Sequence, residues 1–287
     1  MANLKEIRSR ITSVGSTMQI TSAMKMVSAA KLKRAQDAIT QMRPYSNKLS
    51  ELLQNLSASL DSSDGGVYAQ KRDVKKVLLV TITSNRGLCG GFNAYIIKKT
   101  KELINNEYKN KNVSILSIGK KSSEHFKKNG FNVFDNHDYL FGDLTFENVS
   151  KVAESIMSQF VNGDYDKIDL VYNQFKNAAT QIIMVENFLP IQPDKNQEKV
   201  CGDYIFEPQK QEIVESLIPK SLKTQLFKAI LDSHAAEHGA RMTAMHKATD
   251  NAGELKKELT LTYNKARQAA ITGEILEIVG GAEALNG

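Results

Sequence analysis

Tryptophan is absent from this 287-residue chain, cysteine occurs twice, proline five times, and aromatic residues make up only 7% of it. Each scarcity excludes something. Cys89 and Cys201 are too few and too far apart for a disulfide framework or a zinc pattern, which fits a reducing compartment. No apolar run approaches the roughly 18 to 20 residues that span a bilayer. The opening MANLKEIRSR lacks the apolar core of a secretory signal and turns acidic at Glu6, unlike a transit peptide. The expected site of action is therefore the compartment of synthesis.

Proline costs about 3 kcal/mol inside a helix, so its positions, 44, 190, 193, 208 and 219, bound where long helices can run. From Leu4 the apolar residues Leu4, Ile7, Ile11, Val14 and Met18 recur at alternating steps of three and four, the seam of a coiled coil. The stripe blurs from Thr21 to Ala30, where small and apolar residues go most of the way round. It returns as Ile39, Met42, Leu49, Leu52 or Leu53, and Leu56, with Pro44 expected to bend the helix without ending it. Gly15 is a weak point that a partner must cover.

A second pattern runs from Pro219, read as sitting in a first helical turn, to the C-terminus. Its seam is Leu222, Leu226, Ile230, His234, His238, Met242, Met245, Ala248, Ala252, Leu255, Leu259, Tyr263, Ala266 and Ala270, then Ile271, Ile275 and Ile278. At about 1.5 Å per residue, roughly 60 residues make a rod of roughly 90 Å. Two seamed helices at opposite ends of one chain are expected to pair antiparallel. Their surplus apolar surface implies that something further surrounds them.

Between them KVLLVTI (76–82), VSILSI (113–118), KIDLVYNQF (167–175) and TQIIMVENF (180–188) read as strands, and 92–108, 122–129 and 145–160 as helices. The expected fold class is α/β: a long antiparallel coiled coil of N- and C-terminal helices (1–60 and 211–287) plus a central Rossmann-like α/β domain (61–210). Polar connectors at 59–76 and 192–210 join the parts. Net charge is +6 overall, and residues 1–60 alone carry 9 basic against 3 acidic side chains. Nucleic acid, anionic lipid or an acidic protein collar could answer that excess.

Several strings invite a chemical reading. TSNRGLCGGFN (83–93) follows a strand and opens a helix, but it has neither the P-loop pattern nor G-x-G-x-x-G, so tight turns explain its glycines better than phosphate binding. SIGKKS (117–122) has Lys121 where a P-loop needs Ser or Thr. Cys89 beside Arg86 has no histidine nearby in sequence to act as base. HAAEH (234–238) matches an inverted zinc-protease motif, yet both histidines lie on the seam, and a third ligand and a concave pocket are wanting; seam packing is the alternative. The basic residues of the first helix lack interleaved aromatics for stacking bases, so no nucleic-acid partner is expected.

Taken together, EIRSRITSV, TMQITSAMKMV and AKLKRAQ at the start, SNRGLCGGFN in the middle, VYNQFKNAATQ later, and EHGARMTAMHKATDNA with LTLTYNKARQAAITGEILEIVGGAEAL at the end resemble the γ subunits of F-type ATP synthases over nearly the whole chain. The resemblance implies a rotor shaft: terminal helices inside a ring of three α and three β subunits, and an α/β foot meeting the ε subunit and the c-ring. It implies a peripheral complex on the cytoplasmic side of a bacterial plasma membrane, attached only through the complex, and coupling of proton or sodium flow to chemistry on β. By the same resemblance Arg8, Met24, Arg34, Arg86, Cys89, Arg241, Arg267, Gln268, Thr272 and Glu274 are rotor–stator contacts. No catalytic residue, cofactor or metal is implied. Asn85 stands where relatives usually carry Asp, and Gly273 where they carry a longer polar residue. With Cys201 single, the thiol switch of chloroplast relatives is not expected.

Overall fold

The computed structural model describes residues 4–58, 67–70, 72–191 and 210–286. Cys201, half of the first connector and nearly all of the second, and the side chains of 47, 50–58, 210–215 and 285–286 lie outside the described residues. Two compact units emerge: Met1–Ser28 with Met242–Gly287, and Ala29–Arg241. Helix α1 (Leu4–Ala58) and helix α5 (Lys210–Asn286) contribute to both.

In the first unit the two helices run antiparallel. Thr249 Oγ1 lies 2.8 Å from Thr21 Oγ1, Lys25 Nζ lies 3.4 Å from His246 Nδ1, and Lys256 and Gly253 lie against Gly15 and Met18. Leu4, Ile7, Ile11, Val14, Met18, Thr21, Lys25 and Ser28, a continuous heptad series, are all covered on α1 here, with Gly15, Ser22 and Met24 half-buried at its flank. The apolar stripe blurs after Met18 because polar Thr21, Lys25 and Ser28 hold the seam, while Ile20, Met26 and Val27 are exposed. Gly15 is covered, as expected, by the stem of Lys256.

On α5 two expectations are corrected. Leu255 is exposed, and Lys256 takes the seam position next to it, because the three-four stepping from Met245 runs through Thr249, Ala252 and Lys256. Ile271, Ile275 and Ile278 are not seam but surface, 48%, 55% and 71% exposed. The cause is register: pairing 25 with 246 and 21 with 249 brings Leu4 opposite about residue 267, so the last turns of α5 meet no residue of α1.

In the second unit α1 keeps its stepping through Leu32, Ala35, Ile39, Ser46 and Leu49, all buried. Pro44 sits inside α1 on the exposed side. Pro219 lies well inside α5, which starts at Lys210, and not in a first turn as its N–H-free ring had suggested. From Ile218 to His238 α5 is buried on most sides, as an interior helix is. Ile218, Leu222, Leu226, Ala229 and Ile230 enter the main core.

That core lies on one face of a five-stranded sheet of order β3-β2-β1-β4-β5, with β1 (Lys76–Ile82), β2 (Asn112–Ile118), β3 (Val133–Asn136), β4 (Lys167–Phe175) and β5 (Gln181–Leu189). The first four are parallel and β5 is antiparallel to β4. Strand β1 shows why: buried on both faces, Leu78, Val80 and Ile82 meet α4 (Phe146–Val161) and α5, while Val77 and Leu79 meet α2 (Phe92–Glu102). Helix α3 (Lys120–Lys128) packs beside α2 on that second face. Four strands fall where periodicity expects them. β3, four residues long at an edge, offered no such run. The helix expected over 92–108 stops at Glu102; a wider turn, Leu103–Glu107, follows and lets the Tyr108 phenol donate to buried Asp169.

Candidate functional site

The chain leaves β1 on one side, through α2 to β2, and returns after β3 through α4 to β4 on the other. The ends of β1 and β4 therefore form a topological switch point, where open α/β sheets usually bind ligands. Here that crevice is filled by the protein itself. Three strings picked out in the sequence meet in it: the loop after β1, the hairpin after β4, and the stretch of α5 from Ala236 to Arg241.

The loop after β1 is shaped by hydrogen bonds. Ser84 N–H donates to Asn93 Oδ1 at 2.9 Å, Ser84 Oγ to the Arg86 carbonyl at 2.6 Å, and Asn93 Nδ2 to Cys89 Sγ at 3.2 Å. Leu88 and Gly90 both take positive φ, which turns Arg86 and Leu88 out to solvent and Cys89 inward. Cys89 is 1% exposed among Phe92, Ala236 and Phe175. Burial pushes its thiol up, so it acts as a small packing group and not as a nucleophile. Asn85, the departure from the usual Asp, donates from Nδ2 to the Asp138 carbonyl at 2.8 Å and accepts from Lys120 N–H at 3.0 Å. A carboxylate could make only the second bond.

The hairpin after β4 is set by Asn177, whose Oδ1 accepts from Ala179 and Thr180 N–H at 3.0 and 2.7 Å, and Asn173 Nδ2 ties β4 to the Phe92 carbonyl at 3.1 Å. Gly239 of α5 passes so close that a β-carbon there would stand 3.2 Å from Ala178 Cα. Beside it Arg241 Nη1 pairs with Glu237 at 2.5 Å, and Nη2 donates to the carbonyls of Arg86 and Gly87 at 3.1 and 3.3 Å. Burial leaves Glu237 titrating above the ordinary carboxylate range even beside Arg241.

His234 and His238 face each other, Nε2 to Nε2, at 3.1 Å, with His234 stacked on Phe141. Burial holds their pKa values down to about 4 and about 3, so at neutral pH both are uncharged and one donates to the other. Arg241 stands 3.5 Å from His238 Nδ1, and among the described residues no three His, Cys, Asp or Glu side chains gather as metal ligands. The pair is a packed hydrogen-bonded contact.

Of the residues singled out from the sequence, the structure brings Arg86, Cys89 and Arg241 together. Arg34 is exposed on α1 of the same unit. In the first unit Met24 is half-buried, and Arg8, Arg267, Gln268, Thr272 and Glu274 are exposed. Glu237, Asn93 and Gly239, which hold the site in shape, were not foreseen. The i, i+4 spacing of Glu237 and Arg241 was the available signal for the first.

A family model described as ATP synthase matches residues 3–285. ATP synthase gamma chains of Flavobacterium johnsoniae and Flavobacterium psychrophilum are 66% and 65% identical to this chain, over the whole of both partners. Among solved structures, the central stalk and c-ring structure of the Tetrahymena thermophila mitochondrial ATP synthase contains a chain 25% identical with a TM-score of 0.62, covering 80% of this chain and 99% of that one. A chain of the Euglena gracilis mitochondrial enzyme reaches a TM-score of 0.71 at 22% identity, over 98% of this chain and 94% of its own. With a family model spanning nearly its full length and relatives at two-thirds identity, the chain belongs to the ATP synthase γ-chain family.

Proposed function

We propose that this chain is the central rotor shaft of an F-type ATP synthase, carrying c-ring rotation to the catalytic sites of the β subunits. It is a non-catalytic subunit. The observation that supports the reading best is the end of α5, where Ile271, Ile275, Leu276, Ile278 and Val279 are all 48% to 71% exposed on a helix that has outrun its partner. So much contiguous apolar surface on one helix end calls for a surrounding protein. A ring of α and β subunits offers a sleeve; the ε subunit and the c-ring are the partners at the other end. No helix among the described residues is long and apolar enough to cross a membrane, so attachment to the cytoplasmic face of a bacterial plasma membrane runs through the complex.

In this reading an asymmetric shaft favours a different conformation in each β as it turns, and rotation shifts nucleotide affinity through differential contact. Arg8, Met24, Arg34, Arg86, Arg267, Gln268, Thr272 and Glu274 are half-buried or exposed and free to meet the stator, whereas Cys89 and Arg241 act from within by fixing the loop that presents Arg86. Co-expression with tagged α and β subunits tests this. The chain should co-purify and be required for coupled, rapid ATP turnover; assembly and turnover unchanged in its absence would reject the reading.

A further inference from the structure

The central domain is close to neutral as a whole, but its charges are segregated. Residues 92–132, which hold α2 and α3, carry nine lysines against three acids; residues 133–169, which hold β3 and α4, carry eight acids against two lysines. The first stretch is thus +6 and the second −6. The two helix sets also cover opposite faces of the sheet, α2 and α3 on one and α4 on the other.

On the α2–α3 face, the three acids are already engaged: Glu102 with Lys99, Glu124 with Lys120 and Lys121, and Glu107 with Lys167. Lys98, Lys101, Lys109, Lys111, Lys127 and Lys128 have no carboxylate within 4.0 Å among the described residues, and all but the half-buried Lys101 are exposed. The two helices pack side by side; burial holds the His125 pKa down, and Lys101 from α2 and Lys128 from α3 add to it.

We propose that this lysine face docks on an anionic phospholipid surface. The proposal rests on the rotor reading, which puts the central domain beside a membrane. The composition selects the partner. All nine cations are lysine, hydrated point charges suited to diffuse attraction, with no arginine fork for bidentate phosphate recognition. Single-stranded nucleic acid would need successive rings for stacking, and Tyr95 is the one exposed aromatic on α2 and α3, a residue equally at home at headgroup level; a duplex, held by phosphate charge alone, is set against vesicles in the test. Lysines spread over two helices and the turn after α2, not gathered around one point, fit a broad charged sheet.

The test uses the full chain, alone and assembled with α and β, co-sedimented with vesicles of phosphatidylcholine with or without phosphatidylglycerol over a range of salt. Binding should need phosphatidylglycerol and fall steeply with salt. The variant Lys98→Gln/Lys101→Gln/Lys127→Gln/Lys128→Gln should bind at least about a hundredfold more weakly, at a typical headgroup attraction per lysine. A charge-matched control, Lys33→Gln/Lys75→Gln/Lys151→Gln/Lys176→Gln, should bind as wild type, and both should keep wild-type helical circular dichroism. Indifference to phosphatidylglycerol, equal losses in both variants, or preference for nucleic acid or for an acidic partner protein over vesicles would each overturn the proposal. Failure to assemble with α and β would instead defeat the rotor reading, and the vesicle result would be read separately.

Discussion

Arg241 and Glu237, one turn apart on α5, form an ion pair at 2.5 Å with each side chain only 10% exposed, and the same guanidinium reaches across to the carbonyls of Arg86 and Gly87. One cation therefore neutralises a buried acid and caps a loop from another element. Removing Arg241 leaves Glu237 without its hydrogen-bonded counter-charge in a nearly dry site, with only the more distant fields of Lys31 and Arg86 to offset it. Arg241→Leu should lower unfolding stability by about 3 to 5 kcal/mol, while the double variant Glu237→Leu/Arg241→Leu recovers a large part of the loss. Denaturant melts of the two variants and wild type check this; equal losses in single and double would show that the loop contacts dominate.

The histidine pair makes a pH prediction with a definite sign. Both groups are neutral when folded, with pKa values held down to about 4 and about 3, and titrate near 6.5 when unfolded. Between those limits the unfolded chain binds more protons, so stability falls as pH drops from about 6.5 towards 4. The slope contributed is about 1.4 kcal/mol per pH unit for each proton taken up. Nearby buried acids, Glu237 and Asp232, titrate high and act in the opposite sense. Comparing wild type with His234→Gln/His238→Gln isolates the histidine part: the difference between their stability curves should close as pH falls through this window.

Gly119, between β2 and α3, has φ near +115°, and a β-carbon there would stand 2.0 Å from the Thr83 carbonyl oxygen. Nothing flexible can yield, since the obstacle is backbone. Gly119→Ala should cost roughly 2 to 4 kcal/mol or prevent folding, measured as a fall in thermal midpoint or in soluble yield.

Gly273 is the contrasting case. Its helical position opens on empty space, with nothing within 4 Å of where a β-carbon would lie. Gly273→Ala should therefore raise local helix stability by about 1 kcal/mol. Amide exchange in the last turns of α5 should slow; an unchanged rate would mean that these turns gain nothing from intrinsic preference.

Asn85 uses both ends of its amide, one to Asp138 and one to Lys120. Asn85→Asp keeps the acceptor and turns the donor into a second acceptor facing a carbonyl. A loss of about 1 to 3 kcal/mol is expected, smaller at acid pH where the carboxyl is protonated and can donate again. A pH series of melts on this variant checks the sign.

What the sequence made legible follows from how each element is stabilised. Strands buried on both faces, such as 76–82 and 167–175, stand out as short segments rich in aliphatic and β-branched residues, and their bounds agree with the structure to the residue. Strand β3 draws its place from its neighbour and from Asn132 and His137 backbone contacts with β2, which leave no trace in hydropathy. The seam was traced through Met18 and lost at Thr21, because a threonine pair joined by a hydrogen bond packs as an apolar pair would but reads as surface. The exposure of Ile271 to Ile278 depends on where the opposing helix begins, a fact about register that no single-helix pattern contains. At the switch point the loop and Arg241 could be picked out, but not that they meet. That juxtaposition arises from topology, and Gly239 permits it for want of a side chain.

A crevice that in other sheets of this topology stays open for a ligand is here closed permanently by a length of α5. Keyed between two loops by a bare glycine on one side and a guanidinium on the other, that length of helix cannot spin about its own axis without dragging the sheet along. Torsion applied to the second unit is thus received by its whole framework at once, the property a machinist would ask of a spline.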